Sequence, residues 1–362
     1  MIAERLRRIK PSGVRRIFDM ASQVKDPIDL SLGEPDFDIP EEIKKEGIRA
    51  IEQGFNKYTL TQGIPELRQK LEEYLAGKRV RFEKVMATSG VTGGMLLCCL
   101  SLIDPGDEVL IPDPYFVMYD YQVKLVGGEP RYIDTYPDFC LREDKIRELL
   151  SPRTKLIIIN SPANPSGTVY TREELEMVAS IARERDLLVI SDDIYEDFVY
   201  DEPSLPRMGQ IYDKTITLSG FSKTWAMTGW RLGYAAGPAE IIEQMIVLQQ
   251  YSFTCPTSFA QKAALVALDY DMGEQIAHYR EKRDFAYEML QKRYRVKKPQ
   301  GAFFIFPEAD EGSGEDVVTR AINRRVFIIP GQVFSQRKSH FRVSFGAPMD
   351  VLKKGVEILL DL

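Results

Sequence analysis

Ser219-Gly-Phe-Ser-Lys-Thr-Trp-Ala-Met-Thr-Gly-Trp-Arg-Leu-Gly-Tyr234 sets Lys223 and Arg231 among small residues between two apolar runs. Upstream, Thr215-Ile-Thr-Leu218 has the composition of a buried strand, and Arg231 to Gly237 reads as another. A lysine at the carboxyl end of a buried strand stands where open α/β sheets hold their ligands. Most lysines are solvated surface charges, but the surroundings of this one are small or apolar. An amine there can capture an aldehyde, and an arginine close by can hold a phosphate.

Working outward, the 362 residues suffice for a large α/β domain and a smaller one. The 48 basic and 54 acidic residues are interspersed and leave a formal charge of −6, with no basic stripe of the kind that nucleic acid requires. No apolar run approaches a membrane span. Cys98, Cys99, Cys140 and Cys255 form no Cys-x-x-Cys pair, which fits reduced thiols in a cytoplasmic protein. Only two histidines, His278 and His340, are present and they lie far apart, so neither a His-rich metal site nor a His-dependent triad is expected. The Arg-rich start carries Glu4 and Asp19 and lacks an apolar core, unlike a targeting peptide. Ser12 there has the character of an N-cap, with Val14, Ile17, Phe18 and Ala21 on one helical face.

Short aliphatic runs at Glu108–Ile111, Leu156–Ile159, Leu187–Ile190, Thr215–Leu218 and Leu232–Ala236 suit strands buried on both faces. Thr171-Arg-Glu-Glu174 has capping-box form ahead of a helix whose inward stripe is Leu175, Val178, Ala179 and Ala182. Beyond about residue 270 a charged helix from His278 to Arg293 is expected. Strands are expected over Val296–Pro307, Val326–Pro330 and Phe341–Phe345, then a helix from Asp350. The expected architecture is α/β: residues 41–274 form a large domain with a mainly parallel central sheet flanked by helices. Residues 1–40 and 275–362 form a small α+β domain with an N-terminal lid helix.

Four further segments fall at the ends of strand-like runs. Ser89-Gly-Val-Thr-Gly-Gly94, expected as a loop before a helix at Met95–Leu102, offers backbone N–H groups to an anion. Ser161-Pro-Ala-Asn-Pro-Ser-Gly167 holds Asn164 between prolines, although a plain turn reads the same. Ser191-Asp-Asp-Ile-Tyr-Glu196 offers Asp192 or Asp193 beneath a heterocyclic nitrogen, and Tyr195 to a ring hydroxyl. Two unit charges ~3 Å apart attract by several kcal/mol at an effective dielectric of ~20. Phe341-Arg-Val-Ser-Phe345 sets Arg342 in an apolar strand, suited to a carboxylate or to a structural ion pair. Aldehyde, phosphate, pyridine nitrogen and phenolic oxygen together describe pyridoxal 5'-phosphate.

The chain resembles the class I, fold-type I pyridoxal-phosphate-dependent aminotransferases of the aspartate and aromatic amino-acid subgroup. The likeness runs from Ile9-Lys-Pro-Ser12 through Leu32-Gly-Glu-Pro-Asp-Phe37 and Lys57-Tyr58 to Arg342, and Ser-Lys…Gly-Trp-Arg-Leu-Gly is its most specific part. The resemblance implies that Lys223 carries the cofactor as a Schiff base and then moves the proton. Asp192 would pair with the ring nitrogen, Asn164 and Tyr195 with the ring oxygen, and Phe116 would stack on the ring. Arg231, Ser222 and the backbone at Val91 and Thr92 would bind the phosphate, with Tyr58 reaching it from the second subunit of a homodimer. Gly33, Asn164 and Arg342 would bind the substrate carboxylate. Amino transfer from aspartate or an aromatic amino acid to a 2-oxo acid such as 2-oxoglutarate would follow ping-pong kinetics.

Three departures from the family pattern stand out: Ala163 for Asn, Gly220 for a phosphate-binding Ser, and Phe116 for Trp with Tyr119 for His. A β-lyase or decarboxylase on the same scaffold is the alternative. A non-catalytic regulatory protein is less well supported, with no DNA-binding extension in evidence, and a nicotinamide site lacks its Gly-x-Gly-x-x-Gly fingerprint.

Overall fold

Seven short runs assemble into one sheet in the order β1-β7-β6-β5-β4-β2-β3. The strands are β1 (Lys84–Thr88), β2 (Glu108–Asp113), β3 (Glu129–Asp134), β4 (Thr154–Asn160), β5 (Leu188–Asp192), β6 (Thr215–Gly220) and β7 (Gly233–Gly237). The computed structural model describes residues 2–201 and 204–362. Met1, at the head of the 1–40 segment, and residues 202–203, inside the 41–274 segment, lie outside them. From β6 across to β3 every pairing is parallel, whereas β7 runs against both of its neighbours. Val109, Leu110, Ile157, Val189, Ile190, Ile216 and Leu218 are wholly buried, because helices cover both faces.

β3 has no counterpart among the expected strands. Glu129-Pro-Arg-Tyr-Ile-Asp134 buries only Ile133 and lies at the sheet edge, where a proline and charges are tolerated. The helix expected at Met95–Leu102 begins at Gly90 and includes Val91 and Thr92. Its glycines disfavour a helix in isolation, but a Cβ on Gly94 would come within 3.2 Å of Leu218. Close packing on the sheet therefore overrides propensity.

Thr171 caps the helix Arg172–Arg185 with the full reciprocal box through Glu174, a device worth about 1 kcal/mol. Ser12 caps Gly13–Ala21, whose Ile17 and Ala21 are buried. The charged helix runs over Gly273–Leu290 rather than His278–Arg293. Only Phe304–Ile305 of the expected Val296–Pro307 strand is extended in a ladder. Val326–Pro330 divides in two: Val326–Phe327 pairs with Ile28–Asp29, and Ile329–Pro330 pairs with Phe341–Ser344. Leu30 O accepts from Ser344 N at 2.8 Å, so the N-terminal segment is sewn to the C-terminal layer.

Candidate active site

The reversed strand decides where the site forms. Because β7 is antiparallel to β1 and β6, its first residue, Gly233, lies beside Thr88 and Gly220, the last residues of those strands. Arg231, just ahead of β7, therefore shares an edge with the turns after β1, β4, β5 and β6. Backbone approach there is tight. A Cβ on Gly220 would lie 2.8 Å from Gly233 Cα, and one on Gly90 (φ +69°) 2.7 Å from Arg231 Nη2. Gly220 is thus imposed by crowding. Arg231 itself has φ +55° and donates through Nη1 to Thr228 O at 2.8 Å.

A cleft opens at this edge, lined in part by Val91, Thr92, Phe116, Asn164, Tyr195 and Ser222. Lys223 and Asp192 also face it. Lys223 Nζ donates to Gly33 O at 2.6 Å. Burial brings its amine down to about 8; Glu34 opposes the shift, while Arg231 and Arg342 add to it. Burial pushes the Asp192 carboxyl up to about 6, against the Tyr119 hydroxyl (2.7 Å) and the Ile194 N–H (3.1 Å), which favour its ionised form. Asp193 turns away, accepting from Ser191 Oγ at 2.6 Å, and does not line the cleft. Of the two candidates, Asp192 is the one facing the ligand space.

Arg342 is wholly buried and pairs with no carboxylate among the described residues. Its Nη1 donates to Asn164 Oδ1 (2.9 Å) and its Nη2 to Ser31 O (2.5 Å), while Nε has no partner. The guanidinium lies over Phe304 and Phe334, 4.4 and 4.6 Å from the ring centroids, and burial lowers it to about 10. A structural ion pair is therefore not what holds it. Asn164 spends its carbonyl on Arg342 and keeps its amide for the cleft, next to Tyr195, whose phenol burial raises.

Tyr58 does not line this cleft; it is 86% exposed on the surface of the chain. Sequence reading missed Asn160, which accepts from Asn164 N and donates to Asp192 O at 2.9 Å, bracing both turns. Its signal was the polar residue closing an aliphatic run. Met118 and Ile194 also line the cleft unforeseen. Tyr119, noted only as a departure, is the side chain nearest to acting on Asp192. Tyr119→Phe removes a hydrogen bond to a charged acceptor, worth about 1.5–3 kcal/mol. Cofactor affinity is expected to fall about 10- to 100-fold, measured by equilibrium dialysis; unchanged affinity would show that Asp192 needs no such support.

The residues fit pyridoxal phosphate on chemistry alone. A depressed amine suits an aldehyde, and a buried carboxylate short of a cation suits a pyridinium. The glycine-lined approach of Arg231 to a helix N-terminus suits a dianion. A fold with this site is that of a pyridoxal-phosphate enzyme. The chain belongs to the aminotransferases of class I and II, whose family model matches residues 25–359. It is 38% identical to a probable aspartate aminotransferase of Methanocaldococcus jannaschii, over the whole of both chains. It is 35% identical to aromatic-amino-acid aminotransferase 2 of Thermococcus litoralis, covering 98% of this chain and 96% of that one. Among solved structures, the aspartate aminotransferase of Thermus thermophilus with maleate superimposes with a TM-score of 0.96 at 33% identity, over all of both chains. The protein is a pyridoxal-phosphate-dependent aminotransferase acting on amino acids and 2-oxo acids.

Proposed function

We propose that the enzyme transfers the amino group of aspartate or an aromatic amino acid to a 2-oxo acid such as 2-oxoglutarate, in two half-reactions that share one site. The observation that carries this reading is Arg342, a buried guanidinium without an anionic partner, close enough to Lys223 to depress its amine. When bound, the cofactor supplies an electron sink that lets a Cα–H bond ionise.

The chain's own groups do the rest. Arg342, with Asn164 and the Gly33 backbone, takes the substrate α-carboxylate and turns the Cα–H toward Lys223. The Lys223 amine, buried and lowered to about 8, would serve as a general base of suitable strength for that proton. With the cofactor bound, Asp192 would hold a proton at its ring nitrogen, Asn164 and Tyr195 would meet its ring oxygen, and Phe116 would offer an apolar surface to the ring. Arg231, Ser222 and the N–H groups of Val91 and Thr92 would hold the phosphate.

Tyr58 belongs to the same reading as a phosphate ligand delivered to a second subunit. Leu60 (53% exposed) and Tyr251 (86%) support burial of this surface in a homodimer. Sedimentation as a fully active monomer would rule that out. The division into residues 41–274 and 1–40 with 275–362 is supported by the separate ladders of the C-terminal layer; limited proteolysis near residue 274 tests it. Among the described residues no helix is long and apolar enough to cross a membrane. A cytoplasmic location is part of the proposal, and cell fractionation checks it.

The relatives' names include both aspartate and aromatic donors. Phe116, Met118 and Ile194 favour an aromatic ring, and a screen of donors against 2-oxoglutarate decides between them. Parallel double-reciprocal lines, with one 2-oxo acid released per active site before any acceptor is added, are expected. Release of ammonia or carbon dioxide instead would favour the lyase or decarboxylase alternative.

A further inference from the structure

Behind the cleft lies a buried ionic cluster that the proposed reaction does not use. Glu196, in the turn after β5, accepts through Oε1 from Ser219 Oγ (3.0 Å), Tyr234 OH (3.1 Å) and Tyr74 OH (3.4 Å). Its Oε2 accepts from Lys78 Nζ (2.7 Å) and Arg207 Nη2 (3.0 Å). The adjacent Asp197 accepts from Lys78 Nζ (3.4 Å) and, through Oδ2, from Thr224 Oγ1 (2.8 Å). Ser219 and Tyr234 sit on β6 and β7, and Thr224 follows Lys223. One pair of carboxylates therefore ties the turn that follows Asp192 and bears Tyr195 to the strand and turn that present Lys223.

Stability alone is a poor reason for this arrangement. Buried ion clusters often do no better than apolar packing of the same volume, and their best-attested use is to fix one geometry. Burial alone would raise the Glu196 carboxyl, yet Lys78 and Arg207 hold it at about 2, so Glu196 stays ionised across the neutral range, whereas burial and the neighbouring Glu196 raise Asp197. The leading charges around the Lys223 amine are Glu34, Arg231, Arg342 and Asp192, whereas Asp197 reaches the lysine-bearing turn by a hydrogen bond from Thr224.

We propose that Glu196 and Asp197 are positioning residues that clamp the carboxylate-bearing turn to the lysine-bearing turn and so fix the placement of Lys223 over the cofactor. The inference deepens the proposed function and rests on its assignment of Lys223.

The test uses the cofactor-loaded enzyme with Thr224→Val, which keeps shape and removes one hydroxyl, and with Glu196→Gln. Misplacing a reacting group by a fraction of an ångström is expected to lower kcat about 10- to 100-fold. KM for both substrates should stay within about twofold, because the carboxylate site is untouched. The visible circular dichroism of the bound cofactor, which reports its orientation, should change in the same variants, and Thr224→Ser should restore both readings. Thr224→Val carries the test if Glu196→Gln does not accumulate as folded protein. A folded, loaded Thr224→Val enzyme with unaltered kcat and dichroism overturns the clamp. Lys223→Ala, run alongside, separates the two levels: if it retains turnover, the lysine assignment fails, whereas an inactive Lys223→Ala beside an unaltered Thr224→Val sinks only the clamp.

Discussion

Lys223→Ala should lower turnover by roughly ten-thousand-fold or more and strip the visible absorption band from cofactor-saturated protein. Both losses would follow from one atom, since the proposed mechanism makes the amine that anchors the cofactor also the base that moves the substrate proton. The cofactor should still enter the cleft, held through Arg231 and the N-terminus of the Gly90–Leu102 helix, so exhaustive dialysis measures anchoring apart from capture. The wild-type protein carries its own control in pH. The nucleophile is the neutral amine, and burial places its deprotonation at about 8 in place of 10.5. The rate at which cofactor-free protein develops the band should therefore climb as pH rises through about 8 and level off above it. A midpoint near 10.5 would mean that an ordinary surface lysine is reacting. A variant that keeps both band and turnover would remove Lys223 from the chemistry altogether.

The second large effect is expected at Arg342. Its Nε is unpartnered, and no carboxylate of the described chain lies within ion-pair distance. Arg342→Ala should leave the substrate carboxylate unpaired in a dry site, which costs about 2–4 kcal/mol, or roughly 30- to 1,000-fold in kcat/KM, for donor and acceptor alike. Arg342→Lys should recover only part of this, because a point charge cannot reproduce the planar fork that also holds Asn164 and Ser31. Fold and cofactor loading should persist in both variants, checked by thermal unfolding and absorbance. An amine substrate lacking the carboxylate should be indifferent to the change. Equal losses with such a substrate would point instead to a collapsed cleft.

Much of this was legible in the chain because the cleft is lined by short local segments, each following one strand-like run. Lys223, Arg231, Asp192 and Asn164 all sit at the ends of aliphatic runs, and the period of those runs fixes which sheet edge they reach. Four things were not legible, three of them because partners far apart in sequence decide them. Gly220 looked like a missing phosphate ligand, whereas the approach of Gly233 leaves no room for any side chain. Tyr119 looked like a substitution of open consequence until folding set its hydroxyl 2.7 Å from Asp192. The Val326–Pro330 run looked like one strand, but its two halves answer to different neighbours, Ile28–Asp29 and Phe341–Ser344. Choosing between Asp192 and Asp193 was likewise beyond periodicity, since only the strand's pleat sends one inward.

The place where Gly90, Gly220 and Gly233 touch has a bearing on how such an enzyme diversifies. Three main chains meet there with nothing between them, so mutation has no side chain to exchange, and even a methyl group would push β6 off β7. That point of the sheet edge is therefore closed to gradual tinkering. Phe116, Met118 and Ile194 line the same cleft with side chains that can be exchanged, so a change of diet from one amino acid to another is open to them.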